Sequence, residues 1–265
     1  TFDSNWLRNC VSLERLELPG RLGKIDASIF DVPHLKELRI GAGDNEIAPG
    51  AFQKSGLEKM EVDDANPLLM SDGKALYSFD GSILVALAVP SESYRVLDGC
   101  RAIAKKAFGH FACLKEIILP DTVEILGDFS FAKTRISRFD APKSLKSIGE
   151  KAFFSCPELQ EVHLNEGLEE VRANAFTDTA IGELRLPATV ERLGNPLAAN
   201  TGLTYVGSEA TFSIEKGSEH LLLDKAGCLY RKSAEGMVLD RMMNPDIREY
   251  QVLDGTAAIG DDAFF

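Results

Sequence analysis

The residues able to do chemistry are few and scattered. The chain of 265 residues holds four histidines, His34, His110, His163 and His220, and five cysteines, Cys10, Cys100, Cys113, Cys156 and Cys228. No His-Glu-x-x-His or Cys-x-x-Cys occurs, so the spacings that bring two ligands onto one metal are missing. Cys10 and Cys156 stand three residues ahead of Leu13 and Leu159 in the repeat and Cys113 directly ahead of Leu114, and all three read as packed thiols. Cys113 and Cys156 belong to units two apart, about 10 Å, beyond disulfide reach. His163 falls in register between Asp140 and Arg185 in the manner of a relay, but no Ser, Thr or Cys in the neighbouring outward positions supplies a nucleophile. The acidic pairs Asp63-Asp64, Glu169-Glu170 and Asp261-Asp262 lack the Asp/Asn alternation of a calcium loop and read as solvated turns. Phosphate-binding glycine patterns are absent. The expectation is a protein that is not an enzyme and uses no cofactor or metal.

What positions these residues is an internal repeat. One column reads Leu7, Phe30, Phe52, Phe108, Phe131, Phe153, Phe176 and Phe264, with consecutive steps of 22 or 23 residues outside two gaps. A second apolar column lies five residues earlier: Phe2, Ile25, Ile47, Ile103, Leu126, Ile148, Val171 and Ile259, with Leu193 continuing it where the aromatic has become Ala198. After each aromatic comes an apolar-x-apolar segment, as in Leu13-Glu-Arg-Leu-Glu-Leu18, Leu35-Lys-Glu-Leu-Arg-Ile40, Leu114-Lys-Glu-Ile-Ile-Leu119 and Leu159-Gln-Glu-Val-His-Leu164. That alternation predicts a short strand, which Pro19, Pro120, Pro142 and Pro187 terminate. A lone strand cannot bury its apolar face, but stacked units fuse their columns into one core, and a period of 22 to 23 suits a leucine-rich solenoid rather than a propeller.

Between the apolar positions, side chains face outward. One outward column reads Arg15, Glu37, Lys59, Glu116, Arg138, Glu161, Glu183; the other reads Glu17, Arg39, Glu61, Ile118, Asp140, His163, Arg185. Charges alternate in the first three units and neutralise one another, which leaves little net field for a partner. Ile118 places an apolar side chain where charge sits elsewhere. The candidate contact residues are therefore Ile118, Asp140, His163 and Arg185, with Arg138 and Glu161 beside them.

Two interruptions share a pattern. The second column skips from Ile47 to Ile103 and from Leu193 to Ile259. Asp80-Gly81, lying between alternating apolar runs, predicts a hairpin whose turn residues both take positive φ. Cys228 to Lys232 and Met237 to Leu239 predict a second hairpin around Ser233 to Gly236. Each is followed by a matched return, Tyr94-Arg-Val-Leu-Asp-Gly99 and Tyr250-Gln-Val-Leu-Asp-Gly255. These hairpins are expected to cover apolar surface; the competing reading has them project Tyr77 and Tyr230.

With 29 Lys and Arg against 41 Asp and Glu, the net charge is −12, which argues against nucleic acid. The longest apolar run, Ile83 to Val89, is too short to insert in a membrane. The chain opens on Thr1, enters a unit midway at Phe2 and closes on Ala263-Phe264-Phe265, so a processed or truncated product is expected.

Ile148-Gly-Glu-Lys-Ala-Phe-Phe-Ser-Cys-Pro-Glu-Leu-Gln-Glu-Val-His-Leu164, Ile103-Ala-Lys-Lys-Ala-Phe108 and Cys113-Leu-Lys-Glu-Ile-Ile-Leu-Pro120 resemble the BspA-like leucine-rich repeat family of bacterial surface proteins, as does the segment with Asp72-Gly73, Leu76-Tyr77 and Asp80-Gly81. Only Asn195 to Glu219 departs from the pattern. The expected fold is an α/β solenoid, a right-handed superhelix with short parallel strands and two β-hairpin insertions. Its division is repeats 1–63, hairpin insertion 64–98, repeats 99–216, hairpin insertion 217–253 and the start of a further repeat at 254–265. The resemblance implies a cell-surface or secreted location and a protein or glycan partner in adhesion or host interaction. The alternative is a structural spacer that holds another domain away from the cell.

Overall fold

The computed structural model describes residues 7, 9–20, 22–25, 30, 32, 34–53, 55–194, 211–242, 247–261 and 263–264. Phe2, Ala198, Asp262, Phe265 and most of the departing stretch lie outside them.

The apolar-x-apolar segments form short strands. In chain order the strands are β1 Arg15–Leu18, β2 Lys24–Ile25, β3 Glu37–Ile40, β4 Glu46–Ile47, β5 Lys59–Val62, β6 Leu69–Ser71, β7 Ala75–Ser78 and β8 Ile83–Leu87. There follow β9 Ser93–Arg95, β10 Ala102–Ile103, β11 Glu116–Ile118, β12 Ile125–Leu126, β13 Arg138–Asp140, β14 Ser147–Ile148, β15 Glu161–His163 and β16 Glu170–Val171. The last are β17 Glu183–Leu186, β18 Arg192–Leu193, β19 Thr211–Ile214, β20 Leu221–Leu223, β21 Cys228–Ser233, β22 Gly236–Met242 and β23 Thr256–Ile259. The strands β1, β11, β13 and β17 stop just ahead of Pro19, Pro120, Pro142 and Pro187, which carry no N–H to continue a ladder.

Two parallel ladders line the solenoid. The front ladder is built of β1–β3–β5, β9–β11, β13–β15 and β17–β19, each group a separate hydrogen-bonded sheet. The back ladder contains β2–β4 and a sheet of eight strands, β18–β16–β14–β12–β10–β8–β7–β6. The second residue of each two-residue strand in the back ladder is the inner apolar column: Ile25, Ile47, Ile103, Leu126, Ile148, Val171 and Leu193 are all buried. Phe108, Phe131, Phe153 and Phe176 stack behind them with centroids 4.9, 5.2 and 5.1 Å apart, and Phe30 stacks on Phe52 at 4.5 Å. The columns do not close at the C-terminal end, where Ile259 and Phe264 are 51% and 63% exposed.

No helix occurs among the described residues, which corrects the α/β expectation. The reason lies in the turns between front and back strands. There the N–H groups of Lys106, Phe108 and His110 donate to the carbonyls of Asp128, Ser130 and Ala132 in the next unit. Phe129, Phe131 and Lys133 do the same to Glu150, Ala152 and Phe154, and Lys151, Phe153 and Ser155 to Ala173, Ala175 and Thr177. These donors are spent between units, so no i to i−4 ladder forms. The geometry requires pairs of left-handed residues four apart: Lys106 and His110, Phe129 and Lys133, Lys151 and Ser155, Asn174 and Asp178. Left-handed residues interrupt an L-residue helix. Stacking is close enough to demand glycine at Gly149, where a Cβ would lie 2.6 Å from the Asp128 nitrogen.

In the first interruption β6, β7 and β8 run antiparallel, and β8 then pairs parallel with β10. In the second, β20, β21 and β22 run antiparallel and β22 pairs parallel with β23, the same device. The turn at Asp80-Gly81 differs from expectation. Only Gly81 has positive φ, and Asp80 instead accepts hydrogen bonds from the Ser78 hydroxyl and the Ser82 amide. Those donors hold its carboxyl down to about 2, the Ser78 hydroxyl first among them.

Candidate binding face

The outward side chains of the front ladder fall into short electrostatic groups. Arg15 meets Glu37 at 3.2 Å, Arg39 reaches Glu17 at 3.6 Å and Asp63 at 3.0 Å, and Lys59 meets Glu61 at 2.5 Å. The Cα register Arg15–Glu37–Lys59 and Glu17–Arg39–Glu61 is the expected checkerboard.

Four of the six candidate residues come together on β13 and β15. Arg138 grips Asp140 with two bonds, Nε to Oδ2 at 2.7 Å and Nη2 to Oδ1 at 2.9 Å, and its Nη1 donates to Glu161 Oε2 at 3.1 Å. His163 Nδ1 lies 2.8 Å from Asp140 Oδ1. The Arg138 guanidinium, and after it His163, hold the Asp140 carboxyl below the usual carboxylate range. Among the described residues no nucleophile touches this cluster, and its charges are satisfied internally. Arg185 lies apart on β17, bound to Glu183 at 3.1 Å.

Ile118 also lies apart, 36% exposed on β11. Its register partner is Arg95 of β9, and Glu116 pairs with Ser93. The sequence columns ran from Lys59 straight to Glu116 and so missed β9. The signal was there: Tyr94-x-Val96 is the same apolar-x-apolar alternation, and both residues are buried. Arg95 and Glu116 are exposed and make no ion pair with any described residue. Among the described charged outward residues of the front ladder they are alone in this. On β1, β3, β5, β13, β15 and β17 every charged outward residue has a partner within 4.0 Å.

Other reactive groups are structural. Cys156 is buried between the Thr134 hydroxyl and the Phe131 carbonyl, and burial raises its thiol pKa. Cys113 is half-buried, but Cys10 is exposed, which corrects its reading as a packed thiol. Residues 9 to 12 form an exposed turn. Among the described residues no three His, Cys, Asp or Glu side chains gather as a metal cluster, and no helix is long and apolar enough to cross a membrane.

A family model of the BspA type leucine rich repeat region matches six times, over residues 1–69 and 87–204. The chain belongs to the BspA type leucine rich repeat family. Strand β9 falls inside that match, while β7 and the C-terminal four-stranded sheet fall outside it. No curated protein matches the chain. Among solved structures, the pneumococcal vaccine antigen PcpA is similar at 17% identity and a TM-score of 0.55, covering 78% of this chain and 64% of that one. A leucine-rich repeat protein from Eubacterium ventriosum is similar at 18% identity and a TM-score of 0.52, covering 80% and 68%. A leucine rich cell surface protein from Faecalibacterium prausnitzii aligns at 20% identity with a TM-score of 0.49, over 92% and 58%. The chain thus spans less than two thirds of two of these proteins, and it shares with PcpA and the Eubacterium protein a solenoid fold.

Tyr77 and Tyr230 do not project from the two hairpins. Both are fully buried. The Leu97 amide donates to Tyr77 Oη at 3.3 Å, Tyr77 lies 2.6 Å from Tyr94 Oη, and Tyr94 donates to Asp72 at 2.5 Å. The second hairpin repeats the chain from the Leu253 amide through Tyr230 and Tyr250 to Asp224. In a BspA-type solenoid interrupted twice, this relay ties each hairpin to the segment of chain that returns after it.

Proposed function

We propose that the chain is a non-enzymatic binding module, displayed on a cell surface or secreted, that contacts a protein or glycan partner through its front ladder. The observation that carries this reading is Ile118, an exposed apolar side chain in a ladder whose other outward positions are polar or charged. The surface proteins with which the chain shares its repeats support the location. The candidate face includes Arg138, Asp140, Glu161, His163 and Arg185, and the whole of 1–265 is read as one solenoid with insertions at 64–98 and 217–253. The test is a screen of the 265-residue protein on extracellular-matrix proteins and glycans, followed by Ile118→Asp, His163→Glu and Arg185→Glu. Saturable binding that weakens at least tenfold in one of these variants is expected. Unchanged binding in all three removes the face.

The second reading, a spacer that holds another domain away from the cell, is favoured by the ion pairs that neutralise most of the ladder. It predicts no saturable partner for the protein and undiminished display of an attached domain when the ladder charges are reversed.

A further inference from the structure

We infer that β9 and β11 form the contact centre of the front ladder, and that Arg95 and Ile118 together receive a protein segment carrying a carboxylate beside an apolar side chain. This rests on the binding reading above and names its partner.

The argument begins with what the other charges are doing. A partner that engages Arg138 must compete with Asp140 and Glu161, and one that engages Arg39 must compete with Glu17 and Asp63. Paired opposite charges also cancel beyond a short distance, so they steer little. Arg95 has no partner to lose. Its guanidinium is exposed, permanently charged and shaped for two parallel bonds to a carboxylate.

Beside it stands Ile118, directly opposite in the parallel register, about 4.8 Å away along the ladder. An exposed isoleucine next to an unpaired arginine is the composition of an interface centre, where an apolar contact excludes water from a charged one. Burying the isoleucine against an aliphatic or aromatic group of a partner removes apolar surface from water. The partner must therefore bring both groups within one or two residues of each other, as a peptide segment does.

Glu116 and the outward side chains as a whole narrow the chemistry. Glu116 lies two positions from Ile118 on the same strand and is also unpaired. A polyanion laid across Arg95 would meet Glu116 and the chain's net charge of −12, so a single carboxylate fits and a nucleic acid or sulfated polymer does not. Glu116 calls for a donor on the other side of the carboxylate, which sets the direction of the bound segment. Sugars are disfavoured because none of the outward side chains described on the front ladder is Phe, Tyr or Trp, so no flat ring is offered.

The test probes the 265-residue protein with an array of twelve-residue peptides in which Asp or Glu adjoins Leu, Ile or Phe, the same peptides with Asn or Gln, and neutral and sialylated glycans. Acidic–apolar peptides are expected to be retained at least tenfold over their amide counterparts. Arg95→Glu and Ile118→Asp should each remove at least tenfold of that retention, while Arg15→Glu leaves it unchanged and all three keep the wild-type circular dichroism melt. Equal retention of acid and amide peptides, retention of glycans alone, no retention of any peptide, or insensitivity to Arg95→Glu and Ile118→Asp each overturns the inference. If a partner found in the matrix screen is weakened only by His163→Glu or Arg185→Glu, this contact centre falls while the binding reading stands. If nothing binds in either experiment, both fall.

Discussion

Tyr94 donates its phenolic proton to the Asp72 carboxylate at 2.5 Å, so the hydroxyl of Tyr77, 2.6 Å away, must donate to Tyr94 in turn. Directionality follows from the single proton on each phenol. Tyr94→Phe breaks both bonds and leaves the Tyr77 hydroxyl buried with only the Leu97 amide. Hydrogen bonds to charged groups contribute about 1.5–3 kcal/mol, so a loss of that order is expected in urea unfolding. Tyr250→Phe should do the same to the second hairpin. A loss below about 0.5 kcal/mol in both would mean that the relay contributes little.

Alkaline pH tests the same relay from the proton side. Burial raises Tyr77 to about 12, and burial with the neighbouring Asp72 raises Tyr94 further. A folded pKa above the unfolded one means stability that is complete below about pH 10 and lost as pH climbs through about 12. Absorbance at 295 nm should show these phenols ionising only with the unfolding transition. Titration of every tyrosine near pH 10 in a still-folded protein would contradict the burial.

Phe131 stacks between Phe108 and Phe153 at 4.9 and 5.2 Å. Phe131→Ala should cost about 3–5 kcal/mol. Each unit contacts only its neighbours, so the substitution should also uncouple the two halves of the stack and broaden the unfolding transition. Amide exchange should quicken on both sides of residue 131.

Arg138 holds Asp140 ionised to lower pH than an ordinary aspartate. A depressed folded pKa gives stability that is present above the unfolded value near 3.9 and lost as pH falls through the folded one. Arg138→Gln should move the Asp140 carboxyl resonance midpoint upward in an NMR titration. Because both side chains are more than half exposed, solvent screening should leave the stability close to that of the wild type.

Among the five thiols, Cys10 is exposed while Cys100, Cys156 and Cys228 are buried. Alkylation of the native protein should therefore modify Cys10 first, with the three buried thiols reacting only on unfolding. Mass spectrometry after brief iodoacetamide treatment reads the order directly.

The sequence alone determined the period, the inward columns and the strand register. Ile103, Phe108, Leu126 and Phe131 repeat because stacked units must align the same side chains, and one-dimensional stacking writes that need into the chain at fixed spacing. The alternation of Arg15, Glu37 and Lys59 was legible for the same reason. Only the tertiary structure decided the rest. The turns at Lys106 to His110 became inter-unit ladders rather than helix because their donors found carbonyls some 22 residues away, a pairing that no local propensity describes. Tyr94 to Arg95 became a front strand because the hairpin returns the chain there, and that return places an unpaired arginine beside Ile118. The column of residues read past it because the insertion hides the strand from any fixed period. Which charges are free, unlike which are present, depends on side-chain geometry across strands distant in sequence, and that geometry exists only in the folded chain.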